Sequence, residues 1–253
     1  MITSVTGPAG EPARAADIHV WGWRAGGTPA TEDLLLLDDA ELRRVRRFHH
    51  PRDAAALART RAGTRRALGG LLGVPATDVT LGNRPCSGCP SRQHGPPLLL
   101  EPVVPQPPEI GMARTDGYGM LAVCAGIPVG IDVEALRSVD VEGLADVVLT
   151  ERERAHVLGV PDGPVRAQRH FQCWTRKEAV VKAAGTGLLR AELTRLEVYP
   201  EDPGPVRVEL PSQDGKSAWW LVRDVPLSGP WTAALAHRET PLRPGRLVLH
   251  AES

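Results

Sequence analysis

Three carboxylates and one ammonium are the residues of this chain best arranged, by type and spacing, to do chemistry. Val129 to Glu134 alternates: Val129, Ile131 and Val133 point to one face of a strand, and Gly130, Asp132 and Glu134 to the other. Two acids projecting side by side repel unless water, a cation or a base relieves them. About forty residues on, Trp174 to Lys182 holds no glycine or proline, and Gly185 and Gly187 stand beyond it as stop signals, so it reads as a helix. Trp174, Glu178 and Lys182 recur every four residues and share one stripe, while Cys173, Lys177, Val180, Val181 and Ala184 turn elsewhere. Two plainer readings exist. Glu178 one turn before Lys182 is an ordinary helix-stabilising pair, worth a few tenths of a kcal/mol, and a solvent-facing strand end carries two acids harmlessly. If the strand acids pack against the helix acid, however, only a cation makes the grouping sensible.

The elements that must position these residues are legible in outline. Asp17 to Trp23 alternates as a first strand. Asp38 to Phe48 reads as a short helix with Leu42, Val45 and Phe48 on one face, acids at its start and arginines toward its end, as the helix dipole prefers. Asp53 is expected to cap a long helix from Ala54 to Leu72, with Leu57, Leu68, Leu71 and Leu72 toward a core and Arg59, Arg61, Arg65 and Arg66 on a basic side. Eight prolines between Asn83 and Glu109 exclude a helix or a central strand through most of that stretch. Leu121 to Ala125, Gly126-Ile127-Pro128 and Val129 to Glu134 read as a hairpin, with Gly111 to Gly119 leading into it.

Ala135 to Val148 has room for one short helix, and Thr150 with Glu153 is a capping-box pattern. The helix bearing Trp174 to Lys182 begins near Arg166. Leu196 to Tyr199, Val206 to Leu210, Ala218 to Val225, Trp231 to Ala236 and Leu247 to Leu249 read as strands. The expected organisation is a loose tail over 1–16, an N-terminal half over 17–110 with a proline-rich linker at 83–109, and a C-terminal half over 111–253 that carries the acids. Both halves run strand, helices, strands, a rough repeat of architecture without a repeat of sequence.

At 253 residues the chain is long enough to bury a proper core. Thirty basic residues against thirty acidic ones leave no net charge, which argues against nucleic acid as a partner. No apolar run reaches the roughly 18 residues of a membrane span, and no basic-then-apolar leader opens the sequence, so no membrane partner and a cytoplasmic location are expected. Four cysteines do not make a disulfide framework. Cys86, Cys89 and His94 show only three zinc-type ligands with no second pair at finger-like spacing, so reduced thiols in a loop are the expectation.

Gly130-Ile131-Asp132-Val133-Glu134, followed by Trp174-Thr175-x-Lys177-Glu178-Ala179-x-x-Lys182, closely resembles the signature of the Sfp-type 4′-phosphopantetheinyl transferases. The order of elements in the first half, with its basic-basic-Phe run at Arg46-Arg47-Phe48, is similar as well. The resemblance implies an α+β fold in which two similar α/β halves pack as a pseudo-dimer, with the active site between them, in a monomeric protein. It implies Mg²⁺-dependent transfer of the phosphopantetheine arm of coenzyme A to a serine of an acyl or peptidyl carrier protein, releasing 3′,5′-ADP. The carrier could belong to fatty-acid, polyketide or nonribosomal-peptide synthesis. Position by position, Asp132, Glu134 and Glu178 become the metal ligands. Lys182 is placed to reach the diphosphate, and Glu178 to accept the serine proton, directly or through water. Lys177 either orients the site or pairs structurally, and Trp174 packs. Arg44 becomes the candidate for the 3′-phosphate.

Two departures accompany the likeness. Gly95-Pro96-Pro97 stands where the family usually has Gly-Lys-Pro, and Arg114-Thr115 where it has a Ser-His pair; an arginine and a hydroxyl can still bind a phosphate. They leave open a second reading, a catalytically weak homologue that binds coenzyme A or a carrier protein in an accessory or regulatory role. A phosphate-binding hydrolase has little support, since no Gly-x-Ser-x-Gly elbow or metal-histidine pattern is present.

Overall fold

The computed structural model describes residues 17–85, 95–187, 192–211, 217–240 and 245–250, and the fold is α+β. The expected tail over 1–16 and the Cys86, Cys89 and His94 group lie outside the described residues. The chain divides into two units, one of residues 1–84, 97–127 and 240–253, the other of 85–96 and 128–239. The main break thus falls at 127/128 rather than at 110/111, and the chain's end returns to the first unit.

In the first unit β1 (Ile18–Arg24) leads through α1 (Thr31–Leu34) and α2 (Asp39–Val45) to the long α3 (Pro51–Leu72). Next come β2 (Thr80–Asn83), β3 (Pro97–Glu101), β4 (Pro108–Thr115) and β5 (Tyr118–Ala125), and β5 returns antiparallel beside β1. With β10 (Leu247–Leu249) parallel on the outer edge of β1, the sheet order is β10-β1-β5-β4. Residue Asp38 caps α2 in a full capping box with Glu41. Helix α3 opens on Pro51 with His50 at the cap position, not on the Asp53 cap the sequence led us to expect; proline's fixed φ suits the first helical turn. Leu68 of α3 packs with Trp23, Val79, Leu81, Leu99, Ile110, Leu121 and Val123 in one core, and Leu57, Ala58 and Ala62 face Leu37 and Val45 in another.

In the second unit β6 (Val129–Ala135) leads through α4 (Val141–Val148) and α5 (Glu151–Leu158) to the long α6 (Pro164–Ala184). Strands β7 (Val206–Pro211), β8 (Ser217–Asp224) and β9 (Trp231–Arg238) follow as an antiparallel meander, and β9 returns beside β6, giving the order β6-β9-β8-β7. Each unit runs from a strand through helices, the last of about six turns, to further strands, one of which (β5 or β9) pairs antiparallel with the unit's first strand.

Three expectations need correction. Strands β5 and β6 form no hairpin: β5 pairs with β1 and β4, and β6 with β9. The short link at 126–128 has hairpin length, but both edges of β5 are already taken. Gly111 to Gly119 is not a lead-in but most of β4 and its turn into β5. Leu196 to Tyr199 is not a strand. Its backbone groups go to side chains instead: the Val198 amide donates to Glu153 Oε1 at 2.8 Å, while the Val198 and Tyr199 carbonyls accept from Arg176 at 3.0 and 2.6 Å. Among the described residues the proline-rich stretch holds β3, which starts on Pro97 and pairs with β2 in a two-stranded sheet, an edge position proline tolerates, and the first two residues of β4.

Helix α6 is fixed from within. The Arg176 guanidinium, fully buried, holds both carboxylate oxygens of Asp224 at 2.8 Å and the Asp202 carbonyl at 2.8 Å. Lys177 Nζ, also fully buried, lies 2.6 Å from Glu153 Oε2 and donates to the carbonyls of Leu193 and Leu196 at 2.6 and 2.7 Å. Glu153 is the capping-box acid of α5, so one carboxylate starts one helix and anchors another. Burial pushes Glu153 up and Lys177 down, and each draws its partner part of the way back toward its ordinary value.

On its other side α6 lies against β6 with almost no clearance. A Cβ at Gly130 would collide with the Ala179 carbonyl oxygen and the Ala183 amide. Opposite Gly130 and Asp132 in the sheet stand Ala236 and Ala234, both fully buried, so the floor under the helix is built of small residues. In the first unit Gly63 plays the same part for α3, where a Cβ would come within 2.6 Å of the Trp23 indole.

Two outcomes follow from this packing. Gly130→Ala should lower unfolding stability by at least about 1–3 kcal/mol, the usual cost of overpacking, because backbone rather than a yielding side chain blocks the methyl; urea denaturation measures it. Lys177→Met should cost roughly 3–5 kcal/mol by leaving Glu153 buried and unpaired, and adding Glu153→Gln should recover part of that loss, as the same titration would register.

Candidate functional site

Gly130 brings β6 and α6 together, and what they bring is charge. Alternation along β6 puts Asp132 on the side of Gly130, toward α6; the four-residue stripe on α6 presents Glu178 and Lys182. Lys182 Nζ donates to Asp132 Oδ1 at 2.5 Å. The other oxygen, Asp132 Oδ2, is buried and has no hydrogen-bond partner among the described residues. Asp132 and Glu178 are both buried, whereas Lys182 keeps about a third of its side chain in solvent, 35%.

Burial dominates the electrostatics of this face. It pushes the Asp132 carboxyl up to about 6, against the pull of Lys182, and Glu134 adds to the rise. It likewise pushes Glu178 up to about 7, again opposed by Lys182 and reinforced by Asp132 and Glu134. For Lys182 burial works downward, but Asp132, Glu178 and Glu134 together outweigh it and hold the ammonium above its ordinary value. Three acids and one lysine therefore share one field. Among the described residues no three acids, histidines or cysteines are gathered closely enough to hold a metal ion. What stands against Asp132 is the ammonium of Lys182.

Glu134 lies at the half-buried end of β6, where Arg137 bridges it at 3.1 Å while its guanidinium sits 4.9 Å over the Phe171 ring. His170 packs edge-on against the same ring, is buried, and has an Nδ1 without a hydrogen-bond partner among the described residues. Burial and then Arg137 pull its imidazole below the ordinary range, with Glu134 opposing. His170, Arg137 and Arg176 were not singled out from the sequence. His170 had a signal: it falls one turn before Trp174 and extends the stripe of Glu178 and Lys182 by the same spacing. Trp174 itself packs, partly buried, against the core of this unit.

Lys177 stands apart from the acids. Its ammonium has three donors, and all are taken by Glu153, Leu193 and Leu196. Of the two roles open to it, orienting the site or pairing structurally, its contacts are those of the second.

The remaining candidates belong to the first unit. Arg114 is the penultimate residue of β4, its guanidinium 5.0 Å over the Phe48 ring, and Thr115 ends the strand opposite Tyr118 of β5. Arg44 is exposed on α2, one turn before Phe48. Arg61 of α3 reaches Glu41 at 3.3 Å, and Arg65 reaches the same carboxylate at 2.9 Å. Burial lowers both Arg61 and Arg114, Arg44 lowers each further, and Asp53 works the other way on Arg114. The guanidiniums of Arg44, Arg61 and Arg114 therefore share one field on this unit, partly offset by Glu41 and Asp53. Within the second unit Pro96, where the family's lysine would be, stands beside Gly185, the cap of α6, at 3.3 Å from where a Cβ would be.

Residues 128–236 match the family model of the 4′-phosphopantetheinyl transferase superfamily. The matched segment opens where the second unit opens and closes within its last strand. A 4′-phosphopantetheinyl transferase, HetI of Nostoc sp. strain PCC 7120, is 28% identical over 191 residues, 75% of this chain and 74% of that protein. The unit that runs from β6 to β9 and carries the acids is thus the part of the chain that is similar to the 4′-phosphopantetheinyl transferase superfamily.

Proposed function

We propose that this enzyme, of the Sfp type, transfers the 4′-phosphopantetheine arm of coenzyme A to a serine hydroxyl of an acyl or peptidyl carrier protein, with Mg²⁺, and releases 3′,5′-ADP. The reaction is attack by a hydroxyl on a diphosphate phosphorus, in which charge grows on the leaving phosphate. Positioning and neutralisation of that charge must supply most of the rate. The observation that carries the reading is the shared face of β6 and α6, where Asp132, Glu178 and Lys182 are held in one field by a backbone approach that leaves no slack.

The residues fit Mg²⁺ in kind. Asp132, Glu134 and Glu178 are hard oxygen donors, and Asp132 Oδ2 is a buried oxygen in want of a partner. These three would hold the ion. What the ion supplies when bound is charge neutralisation on the diphosphate. The chain's own groups do the rest. Lys182, still partly solvent-exposed, reaches a diphosphate oxygen. Glu178, on the same stripe, accepts the serine proton directly or through water. Arg44, Arg114 and Thr115 serve coenzyme A, the Arg114 guanidinium lying 5.0 Å over the Phe48 ring.

A second reading is favoured by one observation: proline and not lysine occupies position 96, beside the end of the motif helix. On that reading the protein binds coenzyme A or a carrier protein and transfers poorly. Calorimetric titration with coenzyme A and Mg²⁺, paired with the mass gain of an apo-carrier protein, separates the two, because binding without mass gain belongs only to the second.

Asp132→Asn and Glu178→Gln should each abolish the mass gain while leaving the melting temperature within a few degrees of wild type; near-normal turnover in both would remove the acids from the chemistry. Arg114→Ala should raise the KM for coenzyme A by about 10- to 100-fold, the loss expected for a charge-assisted hydrogen bond worth roughly 1.5–3 kcal/mol. An unchanged KM would show that Arg114 does not take the place of the family's Ser-His contacts.

A further inference from the structure

Lys182 and a metal ion want the same carboxylate. The ammonium sits 2.5 Å from Asp132 Oδ1, and Glu178 and Glu134 add their fields to hold it there. The acids are not gathered around a common point in this state. The backbone cannot slide to gather them, because Gly130 already touches the α6 main chain and the far side of α6 is pinned by Arg176 and Lys177. Any rearrangement must therefore come from side chains, and among these Lys182 is four methylenes long and about a third exposed.

We propose that Lys182 is a built-in counter-ion that competes with the divalent metal for Asp132 and leaves it only when a diphosphate offers the ammonium a new partner. This rests on the reading of Asp132, Glu134 and Glu178 as the metal ligands and assigns that site its regulation. Without coenzyme A, a metal entering at Asp132 must face a fixed positive charge and strand an ammonium in a partly desolvated place. With coenzyme A, the same ammonium moves onto a phosphate oxygen, the carboxylate is released, and metal and coenzyme bind together. The coupling is reciprocal: whatever factor coenzyme A adds to metal affinity, the metal adds to coenzyme affinity. Part of that factor is direct attraction between metal and phosphate, and the proposal assigns the remainder to Lys182. One consequence is that the metal-free protein is poorly disposed to pick up adventitious cations.

Binding of Mn²⁺, read by electron paramagnetic resonance, tests this on the full-length protein with and without coenzyme A. Lys182→Gln should bind Mn²⁺ in the absence of coenzyme A about tenfold more tightly than wild type, within the 5- to 150-fold span typical of coupling between sites. The enhancement that coenzyme A confers should shrink by a similar factor, and Lys182→Arg, which keeps the charge, should behave as wild type. Lys182→Met provides the same reading should the glutamine variant fail to fold. If Lys182→Gln and Lys182→Met bind Mn²⁺ no better than wild type, while Asp132→Asn abolishes binding, the competition is refuted and the metal site stands. If Asp132→Asn binds Mn²⁺ as wild type does, the metal site itself falls and this inference with it.

Discussion

The close approach of β6 to α6 is the constraint on which the rest of the second unit depends. An ordinary residue at Gly130 would hold the helix off the strand, and the carboxylate of Asp132 would lose its partners on α6. Ala234 and Ala236 extend the same permission one strand further. The consequence is electrostatic as much as steric. Side chains carried this deep lose water, so Asp132 and Glu178 are pushed toward neutrality and each becomes sensitive to any cation that arrives. The same two groups on an exposed strand end and an exposed helix would be unremarkable surface acids.

A face of buried, mutually repelling carboxylates is costly, and the opposite face of α6 is built to withstand it. There the polar groups are fully satisfied: Arg176 by Asp224 and three carbonyls, Lys177 by Glu153 and two carbonyls. A buried pair of this kind adds little net stability over a well-packed apolar equivalent, but removing either member leaves a bare charge. Its value is therefore in register. It sets the rotation of α6 about its axis, and with it the direction in which Glu178 and Lys182 point.

Most of this was legible where local pattern and local chemistry agree. Alternation in β6 and the four-residue stripe in α6 gave the faces, and Thr150 with Glu153 gave the start of α5, because each depends on neighbours within a turn. What was illegible depends on partners far along the chain. Nothing near Lys177 announces Glu153, twenty-four residues earlier, so its burial as a structural ion could only be left as one of two roles. Leu196 to Tyr199 alternates like a strand, yet Arg176 and Glu153 claim the backbone groups that a neighbouring strand would need. The supposed hairpin at 121–134 failed similarly. A three-residue link has the right length, but pairing is decided by which edges remain open, and β5 has none.

The departures from the family pattern fall on the phosphate contacts and spare the carboxylates, and the two kinds of ligand explain why that division is tolerable. A divalent ion demands hard anionic oxygens at short and nearly fixed distances, so an acid has few substitutes. A phosphate is a diffuse target with several equivalent oxygens, and any donor that reaches one of them contributes. Arg114 with Thr115 can thus stand where a serine and a histidine would, provided the guanidinium is held in place. Its stacking on Phe48 does that without consuming its donors. Arg44 lowers both Arg61 and Arg114, and the carboxylates of Glu41 and Asp53 offset part of that repulsion.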